Sequence, residues 1–280
     1  MKKNVSDWLI QFNRKKNHGC TTVSICSGKG GVGKTSICLR MARELAESGY
    51  KTLVVDCDYN LSNISLKLGL NFQSKFSSYL ENQISLSDCL LRVENFWILP
   101  TCNGDWSIFD QHKRVNTELI KILDILEAEY DFILLDCPAG IHKENVNLFA
   151  YGQQQIVVLT PDRSSLADAY SMIKILNQRY GISKIHICIN QVQDSIQGKR
   201  VLHSIDSTVQ RFLSCQLNLL GTLPKVNYRA EFFDLEFIFR ENNTIYNNFL
   251  KIRENFIDAV NTFHLDFARE VDCEKQFINL

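Results

Sequence analysis

A glycine-rich segment that ends in lysine and threonine is the strongest chemical signal in this sequence. Residues 28–35 read Gly-Lys-Gly-Gly-Val-Gly-Lys-Thr, which fits the phosphate-loop pattern of glycine, four residues, glycine, lysine and threonine. Glycines reach unusual dihedral angles, so that backbone N–H groups can close on phosphate oxygens without a Cβ in the way. Lys34 supplies a point charge to the phosphates, and the Thr35 hydroxyl is placed to ligate Mg²⁺. The predicted cradle for ATP consists of Gly28, Lys29, Gly30, Gly31, Val32, Gly33, Lys34, Thr35 and Ser36.

Acidic side chains at the ends of two apolar runs are placed to complete such a site. Asp136 ends one run, and Asp56 and Asp58 end another. Because parallel strands end at one edge of a sheet, these acids should lie beside the phosphate loop. We expect Asp136 and Asp58 to reach Mg²⁺ through water. We also expect Asp58 to orient the attacking water and Asp56 to brace the loop.

Apolar runs that alternate with segments of helical period must position these groups. The runs are continuous rather than alternating, as in a parallel sheet buried on both faces. The predicted strands are Thr21–Cys26, Thr52–Asp56, Phe96–Leu99, Phe132–Asp136, Gln155–Thr160, Lys184–Ile189 and Leu217–Leu223. The predicted helices are Lys34–Glu47, Asn116–Ala128, Ser165–Arg179, Gly198–Leu213 and Thr244–Phe263. This alternation predicts an α/β fold with a doubly wound, mostly parallel sheet and helices on both faces.

The pattern predicts one domain with an extension at each end. The domain covers residues 20–263 and ends in a C-terminal helix, whose apolar side chains recur at helical spacing and should pack against the sheet. Residues 1–19 form a basic extension, with five basic side chains against one acid. This extension is either a solvated tail or a short amphipathic element that engages a partner. Residues 264–280 are predicted to be a tail.

The composition predicts a cytoplasmic globular protein. Lysine and arginine together number 31, as do aspartate and glutamate, so that no global field draws the chain to DNA or to an acidic membrane. The ten cysteines include no Cys-x-x-Cys pair, and the first residues lack the apolar segment of a secretory signal. No run approaches the ~20 apolar residues of a spanning helix. We therefore expect reduced, buried cysteines.

Lys29, directly after the first glycine of the loop, is a residue that an ordinary phosphate loop does not need. The run of residues 29–35 resembles the deviant Walker A motif of the MinD/ParA family, which are P-loop NTPases of the SIMIBI class. The resemblance implies a Mg²⁺-dependent ATPase that forms an ATP-bound homodimer. It also implies that Lys29 reaches across this dimer to the partner's nucleotide, as an arginine finger does in other ATPases.

The resemblance extends over roughly residues 20–260 and assigns further roles. Residues 56–63 look like switch I of the family, although position 60 is asparagine where the family usually has glycine, and residues 136–140 look like switch II. Asn190 matches the strand-end asparagine that reads adenine. Pro224 lies where a following loop covers the base.

Within the family, the segment Thr160–Tyr170 looks similar to the branch of FlhG, also called FleN or YlxH. This likeness implies an ATPase that regulates flagellar number or placement. It further implies the GTPase FlhF or another flagellar regulator as a partner, and peripheral contact with the inner face of the membrane. Residues 1–19 lack the Asp-Gln pair of the motif that stimulates FlhF, and the C-terminal helix has mixed charge rather than the basic polar face of a membrane-surface helix.

Other functions remain open from the sequence. A partition ATPase that binds DNA or cargo would need a local basic surface, for which Lys199, Arg200 and Arg211 are the candidates. A MinD-like regulator of the division site would share the same motifs. A metabolic P-loop enzyme or an iron–sulfur reductase is disfavoured, because cluster ligation needs paired cysteines.

Overall fold

The computed structural model describes residues 19–58, 64–70, 75–101, 112–226, 233–240 and 244–278. Eight strands form one sheet in the order β3-β4-β2-β5-β1-β6-β7-β8. The strands are β1 Thr21–Cys26, β2 Thr52–Asp56, β3 Leu91–Val93, β4 Phe96–Pro100, β5 Phe132–Asp136, β6 Gln154–Leu159, β7 Lys184–Val192 and β8 Gln216–Pro224. Only β3 pairs antiparallel among the described strands. The predicted doubly wound, mostly parallel sheet is confirmed.

Helices flank this sheet and connect its strands. They are α1 Lys34–Glu47, α2 Ile64–Lys67, α3 Phe76–Leu80, α4 His112–Leu126, α5 Lys143–Tyr151, α6 Arg163–Tyr180, α7 Ser195–Phe212, α8 Phe233–Phe239 and α9 Thr244–Ile278. A single 3-10 turn covers Leu86–Cys89. Within the described residues, no helix combines the length and the apolar character needed to span a membrane.

All seven predicted strands and all five predicted helices are present, and the differences lie in their ends and in short elements. The prediction missed β3, a three-residue edge strand whose exposed and buried side chains give too short a pattern to recognise. It also missed α5. The helix predicted to end at Phe263 continues to Ile278, because no glycine or proline interrupts the chain after Phe263. The division of the chain at residues 19 and 264 stays a prediction.

The two faces of the sheet carry separate apolar layers, which explains the continuous apolar runs. Along β5, Ile133 and Leu135 belong to one layer, whereas Phe132 and Leu134 belong to the other. The second layer also includes buried side chains of α9, as the spacing of its apolar residues predicts. Eight cysteines of the described chain, all but Cys273, are buried thiols, which confirms the expectation for them.

The register of the central strands brings the predicted acids to one edge. β5 lies between β1 and β2, so that Asp136 is level with Ile25 on one side and with Asp56 on the other. The chain moves outward from β1 through β2 to β4, returns to β5, and then crosses β1 to reach β6. Such a reversal opens a crevice at the carboxyl ends of the strands, where α/β sheets bind their ligands.

Candidate functional site

The glycine loop connects β1 to α1 at this crevice. Gly33 caps the start of α1 with φ of 94°, a left-handed conformation that favours glycine. A Cβ at Gly33 would lie 2.5 Å from Nδ2 of Asn190, and one at Gly28 would lie 2.5 Å from the backbone carbonyl of Asp168. Steric closeness therefore requires glycine at both positions. The backbone amides at the start of α1 have no partner within the helix and are available to an anion.

Two side chains fix the shape of the loop. Oγ of Ser27 donates to the carbonyl oxygen of Lys29 at 2.8 Å, and Nδ2 of Asn190 donates to the carbonyl oxygen of Val32 at 2.8 Å. Asn190 is buried, and its Oδ1 accepts a hydrogen bond from the backbone of Gln191 at 2.9 Å. The structure thus places Asn190 against the phosphate loop, where it braces the backbone. Its predicted contact with adenine stays a prediction.

Asp136 lies buried at the end of β5, next to the loop. Its side chain is hydrogen-bonded to Thr35, and its Oδ1 atom has no hydrogen-bond partner among the described residues. Burial raises the pKa of Asp136 to about 6, although the positive charge of Lys34 and the hydrogen bond from Thr35 act in the opposite direction. A buried carboxylate oxygen without a partner is energetically costly. The arrangement is therefore suited to a cation that arrives with a ligand.

The acids after β2 adopt different roles. Oδ1 of Asp56 accepts a hydrogen bond from the backbone N–H of Asp58 at 3.1 Å, while its carbonyl oxygen accepts one from the hydroxyl of Thr101. Asp56 therefore holds the chain just after β2, and its predicted bracing of the phosphate loop stays a prediction. Asp58 is half-buried and lines the crevice.

The crevice has a volume of about 560 Å³ and collects most of the predicted site residues. The predicted residues that line it are Gly30, Gly31, Gly33, Lys34, Thr35, Ser36, Asp58, Asn190 and Pro224. Within the described chain, Gly28, Lys29, Val32 and Asp136 do not line it. The space is of the size that small-molecule sites usually have.

Lys29 is held by the first turn of α6 instead. Its Nζ atom lies 3.0 Å from Oδ1 of Asp162 and 2.8 Å from Oγ of Ser164. Hydrogen bonds from Ser164, Thr160 and Ser165, together with the one from Lys29, hold the pKa of Asp162 below its usual range. The ammonium group of Lys29 therefore contacts its own chain outside the crevice. Its predicted role in a second subunit's site stays a prediction.

Three charged residues that line the crevice were not predicted from the sequence, namely Lys67, Lys225 and Asp234. Asp234 of α8 and Lys67 of α2 both line it, and they form an ion pair of 2.7 Å. Neither residue belongs to a motif, and Asp234 stands in a stripe of phenylalanines that indicates core packing. Phe237 of this stripe is buried. The position of Asp234 depends on tertiary contacts with α1, and no local pattern predicts it.

The protein side chains alone do not make a metal cage. Among the residues described, no group of three or more His, Cys, Asp or Glu side chains could hold a metal ion. Magnesium is commonly held by only one or two protein groups together with water and phosphate oxygens. The Thr35 hydroxyl and the unpartnered oxygen of Asp136 fit that pattern.

Comparisons with known proteins agree with this geometry. The family model described as an AAA domain matches residues 20–196. The chain is 27% identical to the antiactivator FleN of Pseudomonas aeruginosa, with 74% of each protein covered. It is 34% identical to the putative septum site-determining protein MinD of Mesostigma viride, over 78% of this chain and 77% of that protein. Among solved structures, the septum site-determining protein MinD of Pyrococcus horikoshii, complexed with Mg-ADP, is 25% identical. It has a TM-score of 0.66 and covers 85% of this chain and 96% of its own.

Proposed function

The chain belongs to the MinD/ParA family of AAA-domain ATPases, and from this premise we propose that it hydrolyses ATP with Mg²⁺ and acts as a switch through an ATP-bound homodimer. The observation that carries the proposal is the contact between the phosphate loop and a buried carboxylate. Asp136 meets Thr35 of that loop, and one of its oxygens has no partner in the part of the chain that the structure describes. A glycine turn that only reversed the chain would not need such a costly neighbour.

Each residue of the loop has a distinct task in this proposal. The backbone amides from Gly30 to Thr35 surround the phosphates, and Lys34 neutralises their charge. Thr35 and Asp136 would hold Mg²⁺, which when bound neutralises charge that develops on the phosphate oxygens. Asn190 and the segment that begins at Pro224 border the crevice on the side proposed for the base.

Hydrolysis is proposed to depend on Asp58 and on Lys29 of a second subunit. Asp58 lines the crevice and would accept a hydrogen bond from the water that attacks the terminal phosphorus; the bond to the bridging oxygen breaks, which yields ADP and phosphate. Lys29 would leave Asp162 and Ser164 and contact the nucleotide of the partner subunit. The side chains of Lys29 and Asp162 are 41% and 45% exposed, and ion pairs this exposed contribute little stability, so that the exchange costs little.

The similarity to FleN supports regulation of flagellar number or placement as the cellular role, with FlhF or another flagellar regulator as the partner. In this role, slow hydrolysis sets how long the dimer lasts, and peripheral membrane contact would be a property of the dimer.

A second candidate is selection of the division site, which the 34% identity to a MinD protein favours. Counts of flagella and positions of division septa in cells that lack the protein would separate the two roles.

The dimer switch can be tested with the Asp58→Ala variant. Because this variant should bind ATP without cutting it, we expect a dimer by size-exclusion chromatography with light scattering when ATP and Mg²⁺ are present, and a monomer with ADP. Lys34→Ala is the matched control and should stay monomeric with both nucleotides. A monomeric Asp58→Ala protein under both conditions would contradict the proposed switch.

A further inference from the structure

The crevice contains a charged cluster that the phosphate-loop motif does not explain. Oδ1 of Asp234 accepts hydrogen bonds from Oγ of Ser36 and from Nζ of Lys67, each at 2.7 Å. The Lys67 and Asp234 side chains are 22% and 27% exposed, and both donors converge on one carboxylate oxygen. All three side chains line the crevice. The cluster therefore lies where an anionic ligand of the loop would enter.

Ser36 connects the cluster to the phosphate loop. It is the third residue of α1, so that its backbone N–H is one of the amides at the helix start that lack an intrahelical partner. Such amides, together with the positive end of the helix dipole, favour a phosphate group. Asp234 places a negative charge within hydrogen-bond distance of this position. A phosphate bound to these amides would come close to the Ser36 hydroxyl that donates to Asp234.

Lys67 is the second donor that a phosphate could take from Asp234. It ends α2, the short helix that follows Asp58 along the chain after residues 59–63. Burial raises the pKa of Asp136, and the charge of Lys67 is one of the influences that lower it, which puts Lys67 within electrostatic reach of the loop. An ammonium group released here would add a cation to the one that Lys34 supplies.

We propose that Asp234 occupies the place of a phosphate in the nucleotide-free chain, and that nucleotide binding transfers Ser36 and Lys67 from Asp234 to the phosphates. Lys67 is then a nucleotide-binding residue, and Asp234 is a built-in competitor that lowers the affinity of the site. This inference rests on the proposed function of the loop. It adds that the pair Lys67 and Asp234 sets the affinity of the site for nucleotide.

Helix α8 does not depend on Asp234 for its place in the fold. Nη1 of Arg40 donates to the carbonyl oxygens of Phe237 and Ile238 at 3.2 and 3.0 Å, and so caps the last turn of α8 from α1. The Phe237 ring packs edge to face on Phe249 of α9, with centroids 5.5 Å apart. A variant of Asp234 should therefore keep α8 folded, which allows its effect on the ligand to be measured.

Titration calorimetry with ADP and with ATP, in Mg²⁺ buffer, tests the exchange. Asp234→Asn keeps the shape but removes the charge, and we expect it to lower the Kd by about threefold to tenfold, because an ion pair that still reaches solvent is a modest interaction. Lys67→Met should raise the Kd by a similar factor in the Asp234→Asn background, where Lys67 is free to meet phosphate. Its effect should be smaller with Asp234 present. Lys251→Met, which alters an exposed lysine of α9, should leave the Kd unchanged.

If the wild-type chain binds nucleotide, either of two outcomes would overturn the inference. A higher Kd for Asp234→Asn would mean that Asp234 accepts hydrogen bonds from the nucleotide instead of competing with it. Unchanged Kd values with lower melting temperatures would mean that the cluster only joins α8 to α2. Absence of any ATP or ADP binding by the wild-type chain would instead refute the proposed function, and the exchange with it.

Discussion

The carboxyl ends of the strands and the amino ends of β6, β7 and β8 use buried polar side chains in opposite ways. At the carboxyl ends, one oxygen of Asp136 has no partner among the residues described, and burial raises the pKa of its carboxyl group. At the amino ends, both ring nitrogens of His186 are bonded, to Gln154 at 2.9 Å and to Asn218 at 3.1 Å. The ring also packs edge to face on Phe256 of α9, with centroids 6.0 Å apart.

The contrast distinguishes side chains that bind a ligand from side chains that stabilise the fold. A buried polar group whose partner is supplied by a ligand lowers the free energy of unfolding of the ligand-free chain, because it has no partner there. The two bonded ring nitrogens of His186 contribute to stability instead, although Nε2 of Gln154 in the same network has no partner within the described residues. Substitutions at the carboxyl ends should therefore change binding and hydrolysis, whereas those at the amino ends should change the free energy of unfolding.

The largest effect is expected for Lys29→Ala. If Lys29 acts on the nucleotide of the partner subunit as an arginine finger does, its removal should lower kcat by about 1,000-fold. The Kd for ATP in the monomer should change little, because Lys29 does not line its own crevice. The melting temperature should also stay nearly the same, because the ion pair to Asp162 is half exposed. Phosphate release assays and thermal melts measure these quantities.

Mixing two inactive variants tests whether Lys29 acts across the dimer. In a heterodimer of Lys29→Ala and Asp58→Ala subunits, the first subunit keeps Asp58 and receives Lys29 from the second. One of its two sites is then complete, so that a 1:1 mixture should recover about a quarter of wild-type activity if subunits pair at random. No recovery in a mixture that forms dimers would show that Lys29 does not serve the other subunit's site.

Lys34→Ala should raise the Kd for ATP by about 100-fold, because a charge-assisted contact to phosphate is lost. The same change should not destabilise the nucleotide-free chain, since Lys34 lines the open crevice rather than the core. Binding of a fluorescent ATP analogue and denaturation by urea give the two values. A large decrease in the free energy of unfolding of this variant would show that Lys34 stabilises the fold. Side chains at the carboxyl ends of the strands would then not be reserved for ligand binding.

Those features of the nucleotide site that follow from local sequence patterns could be predicted. The glycine loop is recognisable because its spacing follows from backbone access to phosphate. The strand bounds of β1, β2 and β5 are predicted to the residue, since each is a short apolar run between polar residues. The position of Asp136 follows from these two facts, because parallel strands end at a common edge.

Contacts between distant segments could not be predicted in this way. The pairs Lys29–Asp162 and Lys67–Asp234 join residues separated by 133 and 167 positions, and no periodicity records such a pairing. Apolar runs hide single polar residues too. His186 stands inside β7 with no motif around it, and its partners come from β6 and β8. Tertiary packing alone brings these groups together.

At the amino ends, acid should destabilise the fold through His186. Burial lowers the pKa of His186 from 6.5 to about 4 in the folded chain. Between these values the unfolded chain binds a proton that the folded chain does not, so that stability falls as the pH drops from about 6.5 to about 4. The contribution amounts to about 3 kcal/mol over this window. Urea unfolding of the wild type between pH 7 and pH 4, compared with His186→Gln, measures it.

Because glutamine does not titrate, the His186→Gln variant should lose less stability than the wild type over the same window. His203→Gln, which replaces an exposed histidine of α7, serves as the control and should follow the wild-type curve. ATP hydrolysis at pH 7 should be unchanged in both variants. Equal acid sensitivity of the wild type and His186→Gln would show that the amino-end network is not the acid-sensitive element.

Asp136→Asn should also change the free energy of unfolding, but with a sign opposite to the changes expected above. At pH 7 the buried carboxylate is charged, and its raised pKa, about 6 against 3.8, means that ionisation opposes folding. The two pKa values differ by about 2.2 units (6 minus 3.8), so that a neutral amide of the same shape should raise the free energy of unfolding of the nucleotide-free chain by about 3 kcal/mol at pH 7. Hydrolysis should be lost at the same time. Urea unfolding and phosphate release report on the two changes, and Asp258→Asn, at an exposed site on α9, should alter neither.

The pH dependence of this gain distinguishes removal of a buried charge from better packing. As the pH falls through about 6 toward 3.8, the folded wild type takes up a proton on Asp136 before the unfolded chain does, and so recovers the stability that the charge had cost. The advantage of Asp136→Asn should therefore shrink to nothing below pH 3.8. An advantage that persists in acid would point to packing. A less stable variant at pH 7 would mean that the carboxylate is supported in the free chain as firmly as His186 is, and the two ends of the sheet would then not differ in the way we infer.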